Sequence, residues 1–135
     1  MKKKNTLLLF LCLFSLWAVA QEKKPVKIAC VGNSITYGSG IKNQFQNSYP
    51  GLLSQLLGEG YDVRNFGISA CVLLNKGDHP YMHEQKFRDL LAFQPDIVTI
   101  KLGTNDSKPW NWRYGKDFKK DLTEMLDILQ ELPSK

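Results

Sequence analysis

Ile97-Val98-Thr99-Ile100-Lys101-Leu102-Gly103-Thr104-Asn105-Asp106 is a β-branched apolar run that stops at a glycine and passes into polar turn residues. A short run of this kind, bounded by turn signals, predicts a strand covered on both faces. The same pattern occurs twice upstream. Val26-Lys27-Ile28-Ala29-Cys30-Val31 runs into Gly32, and Tyr61-Asp62-Val63-Arg64-Asn65-Phe66 runs into Gly67. The three glycines are spaced 35 and 36 residues apart, which suits consecutive βαβ units. Helical patterns fill the intervals. Leu52, Leu53, Leu56 and Leu57 form one stripe after Ser48-Tyr49-Pro50, with Gly58 as a stop. Phe87, Leu90 and Leu91 mark a second helix closed by Pro95. Phe118, Leu122, Met125, Leu126 and Leu129 mark a third, with Lys119, Lys120, Asp121, Glu124 and Asp127 on its other face. The leucines are expected in the core and the charges in solvent. Ile68 to Pro80 reads as a long irregular segment. Strands alternating with helices give an α/β fold, a parallel sheet with right-handed crossovers.

The chain has 135 residues, 18 Lys+Arg, 13 Asp+Glu and a formal charge of +5, which by itself would suit an acidic partner such as nucleic acid. Its first 20 residues change that arithmetic. Lys2, Lys3 and Lys4 precede an apolar run from Leu7 to Ala20 that closes Ala18-Val19-Ala20. A basic start, a short apolar stretch and an A-x-A site describe a signal peptide over 1–20, so the mature chain is expected to be secreted or periplasmic. The run is shorter than the roughly 20 residues a membrane-spanning helix needs. Lipid attachment at Cys12 fits less well, because Phe10-Leu11 before it are not small. Without the leader, 15 basic and 13 acidic side chains remain and no basic face for nucleic acid is implied. Cys30 and Cys71 sit in apolar contexts and are expected as two buried thiols, although an oxidising compartment permits a disulfide. Neither has zinc-ligand spacing, and no metal is expected.

Ligands of open parallel sheets bind beyond the carboxyl ends of the strands. The segments to examine are therefore Gly32-Asn33-Ser34-Ile35-Thr36, Gly67-Ile68-Ser69 and Gly103-Thr104-Asn105-Asp106. No G-x-G-x-x-G or G-x-x-x-x-G-K-[ST] occurs, so a nucleotide reading lacks its phosphate cradle. The G-x-S-x-G elbow is missing too. A serine, a glycine and an asparagine at successive strand ends remain. Acyl transfer needs a nucleophilic hydroxyl and donors aimed at a developing oxyanion. Ser34, the Gly67 N–H and the Asn105 amide are of the required types, and Gly67 has no Cβ to keep substrate away. Each alone is an ordinary turn residue; their joint placement makes the case.

Gly32-Asn33-Ser34-Ile35, Asn65-Phe66-Gly67 and Gly103-Thr104-Asn105-Asp106 resemble blocks I, II and III of the SGNH (GDSL-type) hydrolases, a likeness that covers residues 26 to 130. The resemblance implies a three-layer α/β/α, flavodoxin-like fold. It also implies Ser34 as nucleophile, with the Ser34 N–H, Gly67 and Asn105 as oxyanion hole, and no cofactor. Asn33 stands where the family motif has Asp. The family's fourth block, Asp-x-x-His, is absent; the only histidines, His79 and His83, lie upstream of block III. In strand order 2-1-3 the third strand would be a bare edge, although its apolar pattern is that of a covered strand. Residues 21–135 are therefore expected to be the N-terminal part of an SGNH domain of roughly 200 residues, the sheet truncated after the third strand and inactive alone. Tyr37, Trp110 and Trp112 are candidate substrate-binding aromatics. The stretches Ser34–Gly38 and Gly103–Trp112 are similar to bacterial carbohydrate acetylesterases, including those called sialate O-acetylesterases. That similarity implies an O-acetylated glycan as partner. A rival reading is a non-catalytic carbohydrate-binding module that keeps the pocket without the base.

Overall fold

Val26–Gly32 (β1), Tyr61–Gly67 (β2) and Ile97–Lys101 (β3) form one parallel sheet, in the order β2-β1-β3, in a computed structural model that describes residues 24–133. The expected signal peptide and Cys12 lie outside the described residues. Register pairs Gly32 with both Gly67 and Lys101, so all three strands end at one level. The segments that follow them are thereby gathered at one rim.

Six α-helices accompany the strands among the described residues: α1 (Ser34–Tyr37), α2 (Gln44–Asn47), α3 (Tyr49–Leu57), α4 (Gln85–Phe93), α5 (Pro109–Trp112) and α6 (Phe118–Gln130). Ala29 and Val31 of β1 point to the face where Phe87, Leu90 and Phe93 of α4 and Met125 of α6 are buried. Each of the larger side chains among these contributes about 1.5–3 kcal/mol by leaving water. Thr99 points to the other face, where its hydroxyl lies 3.1 Å from that of Tyr49 on α3. With helices on both faces, the architecture is the expected three-layer α/β/α sandwich with a flavodoxin-like strand order.

Several local expectations change. Leu52, Leu56 and Leu57 of α3 are exposed, Leu56 to 84%, and Pro50 is the buried residue of that helix. The apolar stripe was real, but nothing among the described residues covers it. For the same reason Ile97 and Thr99 are exposed, so β3 is covered on one face and not on two. Its outer edge is unpaired among the described residues. Leu126 is likewise exposed. Asp121, expected in solvent, is buried and accepts the Asn75 N–H at 2.8 Å. The irregular segment after β2 is indeed irregular, yet Cys71, Val72, Leu73 and Leu74 are all buried in it. Cys30 and Cys71 are free buried thiols.

Candidate active site

Ser34 is the first residue of α1, half-buried, with Asn33 as its N-cap. The Asn33 Oδ1 accepts the Ile35 N–H at 3.2 Å, so the local hydrogen bond expected of an Asp here is made by Asn. Its Nδ2 is buried and has no partner. The Ser34 N–H, at the head of the helix, has no intrahelical acceptor. Nor does the Ser34 hydroxyl make a hydrogen bond among the described residues.

Gly67 lies at the end of β2, and its neighbour Ile68 donates to the Gly32 carbonyl at 2.9 Å. Its lack of a side chain has a cause that the sequence did not suggest. A Cβ on Gly67 would sit 2.2 Å from the Tyr37 nitrogen and 2.7 Å from the Thr36 carbonyl carbon. The backbone of α1, not substrate, occupies the space. The Gly67 N–H is also committed, donating to the Asn65 Oδ1 at 2.9 Å. Asn65 Nδ2 donates in turn to the Thr36 carbonyl at 2.9 Å, binding β2 to the helix that carries Ser34.

Asn105 follows Gly103, whose φ of 106° is left-handed backbone that favours glycine. The Asn105 side chain is nearly buried, at 9% exposure, and one of its two N–H groups donates to the Cys71 carbonyl at 3.0 Å. The other N–H has no partner among the described residues. Asn105 is held from both sides. Asn111 Nδ2 donates to its carbonyl at 3.0 Å, and the Asp106 carboxylate, fully buried, accepts from the Leu73 and Leu74 N–H groups, each at 2.8 Å. Asn111 reaches further, to Asp78, whose other oxygen accepts the Trp110 indole N–H at 2.9 Å. These bonds, Trp110 first and Asn111 second, hold the Asp78 carboxyl below its ordinary value. Asn65, Asp106 and Asn111 were not singled out from the sequence. The only available signals were the Asn-x-Gly spacing of block II and the Asp that completes Gly-Thr-Asn-Asp.

A strand-end serine, a buried asparagine amide and an intervening glycine are thus on one rim, and the family comparison agrees with the motif order. The GDSL-like lipase/acylhydrolase family matches residues 30–135. The chain belongs to that family. An acetylxylan esterase from Xylanibacter ruminicola is 53% identical over 111 residues, which cover 82% of this chain and 23% of that protein. The chain therefore spans less than a quarter of this relative's length. AlinE4, an SGNH-hydrolase family esterase, aligns with a TM-score of 0.61 at 23% identity, covering 82% of this chain and 57% of that one. A point mutant of the esterase AlinE4 aligns with the same TM-score and identity, over 79% of this chain and 54% of its own. These two likenesses show the SGNH-type fold.

In this chain of the GDSL-like family neither histidine is bonded to the serine. His79 Nε2 lies 3.1 Å from Glu84 Oε1, and neither His79 nor His83 hydrogen-bonds Ser34 among the described residues. Trp110 and Trp112 are each 53% exposed. Their rings are not bare: Lys108 Nζ lies over Trp110, and Trp112 packs on Phe118 at 5.9 Å between centroids. Tyr37 is exposed with Lys86 Nζ over its ring, and that lysine donates to the Gly67 carbonyl at 3.1 Å. No group of three or more His, Cys, Asp or Glu side chains that could hold a metal is found among the described residues. No described helix is long and apolar enough to cross a membrane.

Proposed function

We propose that this chain carries the nucleophile and oxyanion side of a serine esterase that removes O-acetyl groups from a carbohydrate. The observation that carries the reading is the level ending of the three strands, which brings Ser34, at the head of its helix, to the same rim as the Asn105 amide. In the reaction, Ser34 Oγ adds to the acetyl carbonyl carbon as its proton passes to a base. The carbonyl oxygen becomes an oxyanion that draws on the Ser34 N–H and the second Asn105 N–H. Gly67 joins them only by sharing or giving up its bond to Asn65. Collapse breaks the bond to the sugar oxygen, which takes the proton; water then releases acetate from Ser34. The likeness to an acetylxylan esterase favours a neutral main-chain sugar over sialic acid as bearer of the acetyl group. Tyr37, Trp110 and Trp112 are the aromatics that would face it. The leader-like residues 1–20 support secretion or a periplasmic location.

The base is proposed to lie outside these 135 residues, since they hold no Asp-x-x-His. That same observation favours a second reading, a carbohydrate-binding module without chemistry. Imidazole supplied as an external base separates the two. With p-nitrophenyl acetate and imidazole, mass spectrometry should find acetyl on the Ser34 peptide, and none after Ser34→Ala. No adduct with imidazole present would leave the binding module. Fast turnover without imidazole, lost in Ser34→Ala, would place the base within this chain.

A further inference from the structure

A groove of about 1020 Å³ runs between α2, α3 and the outer edge of β2, and Tyr37 stands at its end nearest Ser34. Its lining has a consistent character. Phe45, on α2, is 93% exposed, and Tyr37 and Tyr61 also present ring surface to water. An aromatic ring left almost wholly in solvent, beside a concave surface, marks a recognition surface. Between the rings are carboxamides. Gln55 Nε2 is used on the Gln46 carbonyl at 2.8 Å and Asn47 Nδ2 on the Lys42 carbonyl at 2.7 Å. The Oε1 of Gln55, the Oδ1 of Asn47 and the whole Gln46 carboxamide are unpartnered among the described residues. Each carboxamide offers a neutral acceptor or donor that a sugar hydroxyl can meet.

Two of the three charged groups in the groove lining pair with each other, and the third is held by a backbone carbonyl. Arg64 forms a two-point contact with Asp62 at 2.8 and 3.1 Å, and Lys86 is bound to the Gly67 carbonyl. Neutral donors and acceptors outnumber the charges in the lining. Rings for the apolar faces of sugars and amides for their hydroxyls describe one class of occupant. We propose that this groove binds the main chain of a neutral oligosaccharide. Units flanking the acetylated sugar would lie along β2 and enter the catalytic rim past Tyr37. The assignment rests on the carbohydrate-ester reading above and adds a second, non-catalytic subsite to it.

The test is calorimetric titration of the full chain with unsubstituted xylohexaose, and of Phe45→Ala and Gln46→Ala, with circular dichroism to show that each variant is folded. Binding should weaken about tenfold in Phe45→Ala, the scale of one lost aromatic contact. It should weaken in Gln46→Ala and be unchanged in Ser34→Ala. Acetylation of Ser34 in the presence of imidazole should be the same in Phe45→Ala as in the unsubstituted chain. Absent binding of xylohexaose, or a dissociation constant indifferent to both groove substitutions, overturns the groove. An extended peptide that binds at the β2 edge while xylohexaose does not would replace the proposed occupant with strand addition. The two readings fail separately. Ser34 acetylation without xylohexaose binding removes the groove alone, whereas Phe45-dependent binding without Ser34 acetylation keeps the groove and removes the esterase.

Discussion

Gly67 lies so close to Tyr37 that a Cβ added to the glycine would stand 2.2 Å from the tyrosine backbone nitrogen. The contact is backbone against backbone, so no rotamer change can relieve it. Gly67→Ala should push α1 away from β2 and cost about 1–3 kcal/mol of stability, the range of overpacked cores. Gly60→Ala, where a Cβ meets nothing within 4 Å, is the control. Urea unfolding of the two variants checks this, and equal midpoints would count against it.

Asn105→Ala removes a candidate oxyanion donor and also the bond to the Cys71 carbonyl. The rate of Ser34 acetylation with imidazole should fall about 10²-fold, the scale seen when one such donor is lost. Stability should fall by about 1 kcal/mol for the lost hydrogen bond. A stability loss without the rate loss would reduce Asn105 to a structural residue.

Asp78 provides a pH dependence. Its carboxyl is held below the ordinary 3.8 by the Trp110 and Asn111 hydrogen bonds. Because the folded value is depressed, the stabilisation is fully present above 3.8 and is lost as pH falls through the folded value. The Trp110 indole N–H resonance should therefore hold its position from neutral pH down to about 4 and move only below it. In Asp78→Asn that movement should vanish.

Cys71 should be inert. Burial first, then the charges of Glu84 and Asp78, push its thiol from 9.0 up to about 12. In the folded chain its reaction with iodoacetamide should be far slower than that of an ordinary free thiol, and should still be rising at pH about 10, where an ordinary thiol has levelled off. Denaturant should restore ordinary reactivity. Rapid native labelling of Cys71 would show that the loop from Cys71 to Leu74 leaves the core.

The sheet was legible because its signals are local. The β-branched runs and glycine stops mark all three strands to within one residue. The same local signals mark Ser34, Gly67 and Asn105 as strand-end residues. What was not legible depends on partners distant in sequence. Periodicity assigns Leu52 and Leu56 to an apolar face but cannot say whether anything lies across from it. Asp121 shares its helix face with lysines, and only the fold brings the Asn75 N–H to its carboxylate. Asn65, Asp106 and Asn111 are common polar residues whose hydrogen bonds to Thr36, Leu73 and Asp78 each span about thirty residues. Gly67 was legible as a glycine for close approach, yet the approaching group is the protein's own backbone.

The Asp106 carboxylate accepts the N–H groups of Leu73 and Leu74 from 33 and 32 residues further along the chain. Those two N–H groups cannot enter the core without an acceptor, since each buried and unpaired donor costs about 1–3 kcal/mol. At about 5–20 residues per second on the ribosome, Asp106 is added roughly 2–7 s after Leu73. Until then the Cys71–Leu74 loop has to wait in water, its Cys71 carbonyl still without the Asn105 amide. The order of synthesis thus separates the hydroxyl from the amide: Ser34 can reach its turn while the pocket around it is still unbuilt.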